Sequence, residues 1–123
     1  MDFNDQKAIY LQIAAMIYDR ILSGEWKPSD RIPSVRELSM MLEVNPNTAM
    51  RTYQLLENMN IITLKRGTGF YLTDEAYENV FKVLKDEYCS EHLPELFRRI
   101  SLLKITPQDL GKMYEEFLGK NSA

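Results

Sequence analysis

The chain has few of the residues on which redox, metal and proton-transfer chemistry depend. Its 123 residues include one cysteine, Cys89, and one histidine, His92. A single cysteine can form neither an intrachain disulfide nor a cysteine cluster for zinc. A lone histidine on a helix is more often a surface or packing residue than a base. We therefore predict no enzyme activity, no metal site and no cofactor.

Long apolar runs and a cleavable targeting signal are also missing. No segment approaches the roughly 20 apolar residues that a membrane span needs. The first five residues, Met1 to Asp5, are acidic and polar, unlike the basic and apolar start of a signal peptide. Hydrophobic residues make up 45% of the chain. The length of 123 residues allows one ordinary domain, or one small domain with a helical appendage. Together these features predict a soluble cytoplasmic protein.

Two closely spaced helix starts are the most informative feature that is present. Ser34 followed by Glu37 is a capping box, in which the Ser34 hydroxyl accepts from the Glu37 amide and the glutamate accepts from the Ser34 amide. Asn45 can cap a second helix whose first position is Pro46, where a missing N–H costs nothing. Two helices joined by so short a turn predict a helix-turn-helix that binds DNA.

The second of these helices begins with amides and a hydroxyl. In a helix-turn-helix the second helix lies in the major groove, where its N-terminal residues meet base edges. An asparagine amide both donates and accepts, which matches adenine. The polar residues left outside the apolar stripe are Asn47, Thr48, Arg51 and Gln54. The methionines at helical spacing are expected to fill the core, namely Met40, Met41, Met50 and Met59.

A glycine-containing turn between two β-prone runs follows. Residues 61–65 and 70–73 are rich in β-branched and aromatic side chains, which predicts a two-stranded hairpin. Lys65 and Arg66 place two cations at its tip. A basic hairpin beside a helix-turn-helix is typical of a winged helix, whose wing contacts phosphates or a minor groove.

The C-terminal segment carries an apolar stripe with helical spacing. Its members, proposed here as dimer-interface residues, are Tyr77, Phe81, Leu84, Tyr88, Leu96 and Ile100. Pro94 cannot donate to the Ser90 carbonyl, so we expect one long helix that bends or breaks near residues 90–94. A cap at Thr106 opens a final helix. We expect a mainly α (α+β) fold: a winged helix-turn-helix over residues 1–73 and a two-helix dimerisation and effector tail over residues 74–123.

Two arrangements of this tail remain open at this stage. Its helices can pack on their own winged domain as core, or they can pair with a second copy. A winged helix of about 70 residues can bury only one face of so long a helix, and symmetric dimers are the commonest soluble oligomers. We therefore favour a homodimer, which also matches a palindromic DNA site.

Charge is distributed unevenly along the chain. The net charge is −3, which a DNA-binding protein does not ordinarily show. Residues 1–73 hold eight Lys or Arg against eight Asp or Glu, whereas residues 74–123 hold seven against ten. The acidic excess therefore lies in the tail. We expect modest DNA affinity per chain and strong salt dependence.

Several segments together resemble the GntR family of bacterial transcription regulators, and within it the short YtrA-like branch. The resemblance covers about residues 7–73. It is carried by Ile9 to Ile13, by the Ile32 to Leu38 segment with its Pro-Ser-x-Arg motif, by Val44 to Thr48, and by the Gly67 to Phe70 turn. Departures are Pro46 and Met50, where many members carry arginine, and Asp30, where a glycine is usual.

The resemblance implies a role for each matched segment. In the Pro-Ser-x-Arg motif, which begins at Pro33, Arg36 would contact DNA from the first helix of the pair, and Ser34 is a further DNA-binding candidate. The second helix would enter the groove with Asn45, Asn47 and Thr48. Because the family arginines at positions 46 and 50 are absent here, we expect Arg51 to supply a phosphate contact instead. The wing residues implied are Arg66, Gly67, Thr68 and Gly69, to which the basic tip of the hairpin adds Lys65 as a further DNA-binding candidate.

The resulting prediction is a dimeric repressor that binds palindromic double-stranded operator DNA. The family resemblance also implies control by a small-molecule effector, which we place near Tyr77 and Phe81, and for this branch frequent control of transporter operons. The alternative is a winged-helix module that binds protein without specific DNA binding, which an acidic pI would suit. No catalytic constellation supports a third possibility, an enzyme.

Overall fold

The structure is a computed structural model that describes residues 8–121, so the polar start Met1 to Asp5 lies outside it. Over the described range the elements are, in chain order, α1 (Ile9–Leu22), α2 (Val35–Leu42), α3 (Pro46–Asn58), β1 (Ile62–Lys65), β2 (Gly69–Leu72), α4 (Ala76–Glu91), α5 (Leu93–Leu102) and α6 (Pro107–Asn121). The mainly helical winged fold is confirmed. The chain divides into two compact units, the first ending at Val83 and the second beginning at Leu84.

The core of the first unit lies between the first three helices. Residues four apart share one face of a helix, and Ile13, Ile17 and Ile21 of α1 are all buried. The largest fully buried side chain is that of Tyr53 on α3. Its hydroxyl donates to the carbonyl oxygen of Pro33 over 2.6 Å, which fastens α3 to the residues before α2. Burial raises the pKa of Tyr53, so the hydroxyl stays protonated and remains a donor.

The wing is anchored by an additional edge pairing. β1 and β2 are antiparallel, with Ile62 opposite Leu72 and Lys65 opposite Gly69. On the other side of β2, Arg31 forms an isolated bridge with Tyr71. The backbone N–H of Ile32 donates to the Phe70 carbonyl over 2.9 Å, and that of Leu72 donates to the Asp30 carbonyl over 3.0 Å. The segment before α2 therefore acts as a third strand of the wing.

The expectation that the methionines fill the core is wrong for three of them. Met40 is 69% exposed, Met41 56% and Met50 41%. α2 has only eight residues, and its buried apolar face is already supplied by Leu38 and Leu42. Met40 lies two positions from each of these leucines and therefore faces away from the core. Met41 has the spacing of a core residue, three positions after Leu38, but it is exposed because the buried face is already filled.

The first unit extends ten residues beyond the predicted boundary at residue 73, because the start of α4 packs within it. Ala76 and Val80 are buried. The side-chain amide of Asn79 donates to the carbonyls of Met59 and Asn60 over 3.2 and 3.1 Å, which ties α4 to the end of α3. The sequence pattern shows an amphipathic helix here but not where its first turns dock.

The tail contains three helices instead of the two expected. The long helix is divided at His92, since α4 ends at Glu91 and α5 begins at Leu93. The break falls within the predicted interval 90–94, where Pro94 cannot continue the hydrogen-bond ladder. The predicted cap of the last helix is present: the Asp109 amide donates to the Thr106 hydroxyl over 3.0 Å. Over the described residues, no helix is both long and apolar enough to span a membrane.

Candidate nucleic-acid interface

The start of α2 is fixed by the predicted capping box. The Glu37 amide donates to the Ser34 hydroxyl over 3.0 Å, and the Ser34 amide donates to the Glu37 carboxylate over 3.2 Å. The bond from the Ser34 amide is the main reason that the pKa of Glu37 lies below its ordinary value of 4.5. Arg36 is exposed at the second position of this helix. The box therefore holds Arg36 in the first turn of α2, with its side chain open to solvent.

The start of α3 is fixed by the predicted asparagine cap. The side-chain oxygen of Asn45 accepts from the Asn47 amide over 2.8 Å, and Pro46 occupies the first helical position. Because this oxygen is used by the helix, the NH₂ group of Asn45 is the part of its side chain left to donate outward. Glu43 adopts a left-handed conformation with φ of 55° and ends α2, so that α3 follows after a short turn.

The exposed face of α3 includes one apolar residue, Met50, beside the polar residues predicted from the sequence. Asn47, Met50 and Arg51 are exposed, as is Gln54 one turn further on. Their positions at i, i+3, i+4 and i+7 place them on one side of the helix. Thr48 is half-buried and lies at the edge of this face. The expectation that Met50 fills the core leaves it out of the sequence-predicted interface, although its spacing from Asn47 already places the two residues together.

Arg51 is oriented by an aromatic ring from α1. Its guanidinium carbon lies 3.9 Å from the centroid of the Tyr10 ring, a distance at which a cation is attracted to the ring face. The next residue of α3 adds a second link, because the Thr52 hydroxyl donates to the Tyr10 carbonyl over 2.9 Å. The start of α1 thus limits the positions available to the Arg51 side chain.

The tip of the wing is a tight turn. The backbone N–H and the hydroxyl of Thr68 both donate to the Lys65 carbonyl over 3.0 Å. Gly67 has a φ of +77°, which a residue with a β-carbon rarely adopts and which suits the third position of such a turn. The hydroxyl of Thr68 is thus engaged within the turn, while Arg66 is exposed at its tip.

The cations of these segments are not engaged by acidic side chains. Among residues 8–121, the ion pairs join Arg20 to Glu25, and Glu95 to Arg98 and Arg99. The cations outside these pairs include all four of the predicted interface, Arg36, Arg51, Lys65 and Arg66. Charge that is not already neutralised is available to phosphate. Over the same range no three His, Cys, Asp or Glu side chains are grouped to hold a metal ion.

The predicted dimer residues are divided between the two units. The rings of Tyr77 and Phe81, in the first unit, stack with centroids 6.2 Å apart and are 48% and 47% exposed. In the second unit, Tyr88 and Leu96 are exposed. The remaining two, which are half-buried in the second unit, are Leu84 and Ile100. Their role in a dimer stays a prediction.

Comparison with known proteins agrees with this geometry. The chain matches the gntR family of bacterial regulatory proteins over residues 9–72. It is 36% identical over 108 residues to the uncharacterized HTH-type transcriptional regulator YhcF of Bacillus subtilis (strain 168), covering 88% of each chain. It is 40% identical over 76 residues to the HTH-type transcriptional repressor YtrA of the same organism, covering 62% of this chain and 58% of YtrA. A solved GntR-family regulator from Bacteroides thetaiotaomicron superposes with a TM-score of 0.79 at 38% identity, covering 94% of this chain and 100% of that one.

Proposed function

Because the chain belongs to the GntR family of DNA-binding transcriptional regulators, we propose that it is a homodimeric repressor that occupies palindromic operator DNA. The observation that carries this proposal is the pair of capped helix starts in the helix-turn-helix, one presenting Arg36 and the other Asn47. Repression is the named role of the related YtrA of Bacillus subtilis. Because such a repressor acts on chromosomal promoters, we place it in the bacterial cytoplasm.

Sequence recognition is assigned to the exposed face of α3. The Asn47 amide can donate and accept at the edge of adenine, and the apolar side chain of Met50 suits the methyl group of thymine. These two residues, exposed on one side of the helix, favour A·T pairs within each half-site. Arg36 and Arg51 are assigned to phosphates, which position the helix without selecting the sequence.

The dimer is assigned to the apolar surface of the C-terminal helices. Leu96 and Phe97 on α5 are 42% and 50% exposed, and Tyr114 and Phe117 on α6 are each 59% exposed. Large apolar side chains exposed in such number mark an interaction surface. We assign this surface to a second copy of the chain, because a dimer places two recognition helices on the two half-sites of a palindromic DNA site, about one helical turn apart.

Release from DNA requires a signal, for which we propose a small-molecule effector at the exposed Tyr77 and Phe81 rings, with a transporter operon as the target. Such a ligand shifts the equilibrium between the DNA-binding and the released state of the dimer only as far as its affinities for those two states differ. Titration calorimetry of wild type and of Tyr77→Ala against a panel of metabolites tests this assignment, and we expect the substitution to abolish effector binding. Binding that survives the substitution would place the effector elsewhere.

The DNA-binding proposal is tested by selecting bound sequences from a random duplex pool at near-physiological salt. The winning duplex is then titrated with wild type, Arg36→Ala, Asn47→Ala and the control Lys82→Ala, which removes an exposed cation of α4. We expect a palindromic motif. Arg36→Ala should weaken binding to every sequence, whereas Asn47→Ala should relax the preference at one base pair by about 1–3 kcal/mol. No enriched motif, with binding that vanishes as salt rises, would overturn sequence-specific recognition.

A further inference from the structure

The outer face of the wing contains a cationic surface that the sequence pattern does not show. Residues opposite each other in a sheet have side chains on the same face, and Tyr71 is opposite both Thr63 and Arg31. Lys65 and Gly69, which are paired two positions further along, lie on that face as well. Arg31 and Lys65 therefore lie on one side of the wing, although 33 residues separate them in sequence.

Gly69 makes room for the Arg31 side chain. A β-carbon at Gly69 would lie 3.1 Å from Nε and 3.5 Å from one terminal nitrogen of Arg31. The guanidinium thus lies directly over the backbone of Gly69, whose φ of +125° also disfavours any side chain. On the same face the Lys65 ammonium lies 4.4 Å from the centroid of the Tyr71 ring. Both cations are held against the wing instead of extending freely from it.

The Arg31 guanidinium retains its capacity to bind an anion. The side chain is exposed, and it belongs to none of the ion pairs found among residues 8–121. The charge of Arg31 makes a minor contribution to lowering the pKa of Glu37. The Glu37 carboxylate accepts its hydrogen bond from the Ser34 amide. A planar guanidinium with free donors binds a phosphate in a bidentate manner.

We propose that Arg31 contacts a DNA phosphate and, with Lys65, makes the outer face of the wing a surface for the sugar–phosphate backbone. This inference rests on the proposed DNA-binding function and adds a residue from the strand before α2 to the interface. Arg31 fixes the position of the wing on the duplex and selects no base. Gly69 is required because any larger residue would displace the guanidinium.

The test is the salt dependence of DNA binding by the full chain. Binding constants for wild type, Arg31→Ala and Arg31→Lys are measured between 50 and 200 mM salt on the selected duplex and on an unrelated one. Loss of one phosphate contact should lower the slope of log K against log salt by about 0.9 per bound chain. Arg31→Lys should restore most of that slope, and the base preference of Arg31→Ala should match that of wild type. Arg98→Ala removes a tail arginine paired with Glu95 and serves as the charge control.

The outcomes separate this inference from the proposed function. An unchanged slope for Arg31→Ala on both duplexes overturns the inference, even if operator selection succeeds. A reduced slope on the unrelated duplex supports it even if no operator is found, because phosphate contacts do not depend on sequence. Arg31→Gln keeps a side chain over Gly69 without the charge. If Arg31→Gln binds with the wild-type slope, Arg31 acts only in packing and the inference fails.

Discussion

The two units of this chain have similar helical periodicity but opposite burial. In the first unit, the α1 residues Ile13, Ile17 and Ile21 are at most 2% exposed. In the second unit, no residue of α5 or α6 is buried, and Leu103 is 70% exposed. Both stripes have the spacing of an amphipathic helix. Periodicity therefore identifies the apolar face of a helix, while the structure shows whether that face is covered within the chain.

The same contrast holds for charge. The winged segment is electrically balanced over its sequence, yet its cations are exposed at α2, α3 and the wing, outside the described ion pairs. In the second unit Arg98 and Arg99 are paired with Glu95. The net charge of the chain is −3, but the local charge of this surface is positive and suits phosphate. The placement of charged groups decides the partner, and the sum does not.

The largest expected effect comes from removing core volume in the first unit. Leu56→Ala, at a fully buried position of α3, should lower the free energy of unfolding by about 2–5 kcal/mol because it leaves a cavity. The control Leu102→Ala removes the same atoms from a side chain that is 68% exposed. Urea denaturation followed by circular dichroism measures both. Equal losses for the two variants would contradict the difference in burial between the units.

The next effect tests whether the exposed stripe of the tail is covered by a second copy. Leu96→Glu places a charge on this face and should weaken dimerisation by about tenfold to a hundredfold, since burying a leucine contributes about 1.5–3 kcal/mol. Sedimentation over a range of protein concentrations gives the dissociation constant. Arg98→Ala changes the charge of α5 by the same amount on the side of the helix opposite Leu96 and should change the dissociation constant little. A monomeric wild type would remove the basis of the dimer assignment.

The parts of the fold that sequence predicts well are those fixed by neighbouring residues. The caps at Ser34, Asn45 and Thr106 each use groups within three positions along the chain, so the local sequence is sufficient to predict them. The contacts of Arg31 with Gly69 and of Arg51 with Tyr10 join distant segments. No spacing rule predicts such contacts, because they depend on how the strands and helices pack.

The methionines show a second limit of prediction from sequence. Met41 and Met50 satisfy the same hydrophobic spacing as leucines that are buried, yet both are exposed. Each lies on a helix whose inward face is already filled, by Leu38 and Leu42 on α2 and by Tyr53 and Leu56 on α3. The number of apolar residues that a small core can accept is set by its volume. In the first unit, the apolar side chains that exceed this volume, including Met41 and Met50, are exposed on the surface.

The smallest expected effect distinguishes the two halves of the α2 capping box. Ser34→Ala removes the hydroxyl that accepts from Glu37 and should cost about 1 kcal/mol of stability at neutral pH. Because the variant keeps the Ser34 amide, which is the main cause of the lowered Glu37 pKa, it should keep most of the pH dependence. Thermal unfolding of both proteins across pH measures the two effects separately.

Glu37→Gln should have the complementary effect on pH dependence. The pKa of Glu37 lies below its ordinary 4.5 in the folded state, so the folded protein holds this proton less tightly than the unfolded chain. The contribution of the carboxylate is therefore present above pH 4.5 and is lost as the pH falls through the lower, folded-state value. A glutamine cannot titrate, so the stability of the variant should fall less steeply than that of wild type in this acid range. Parallel acid curves for Glu37→Gln and wild type would contradict this expectation, because they would show that the carboxylate does not couple folding to protons.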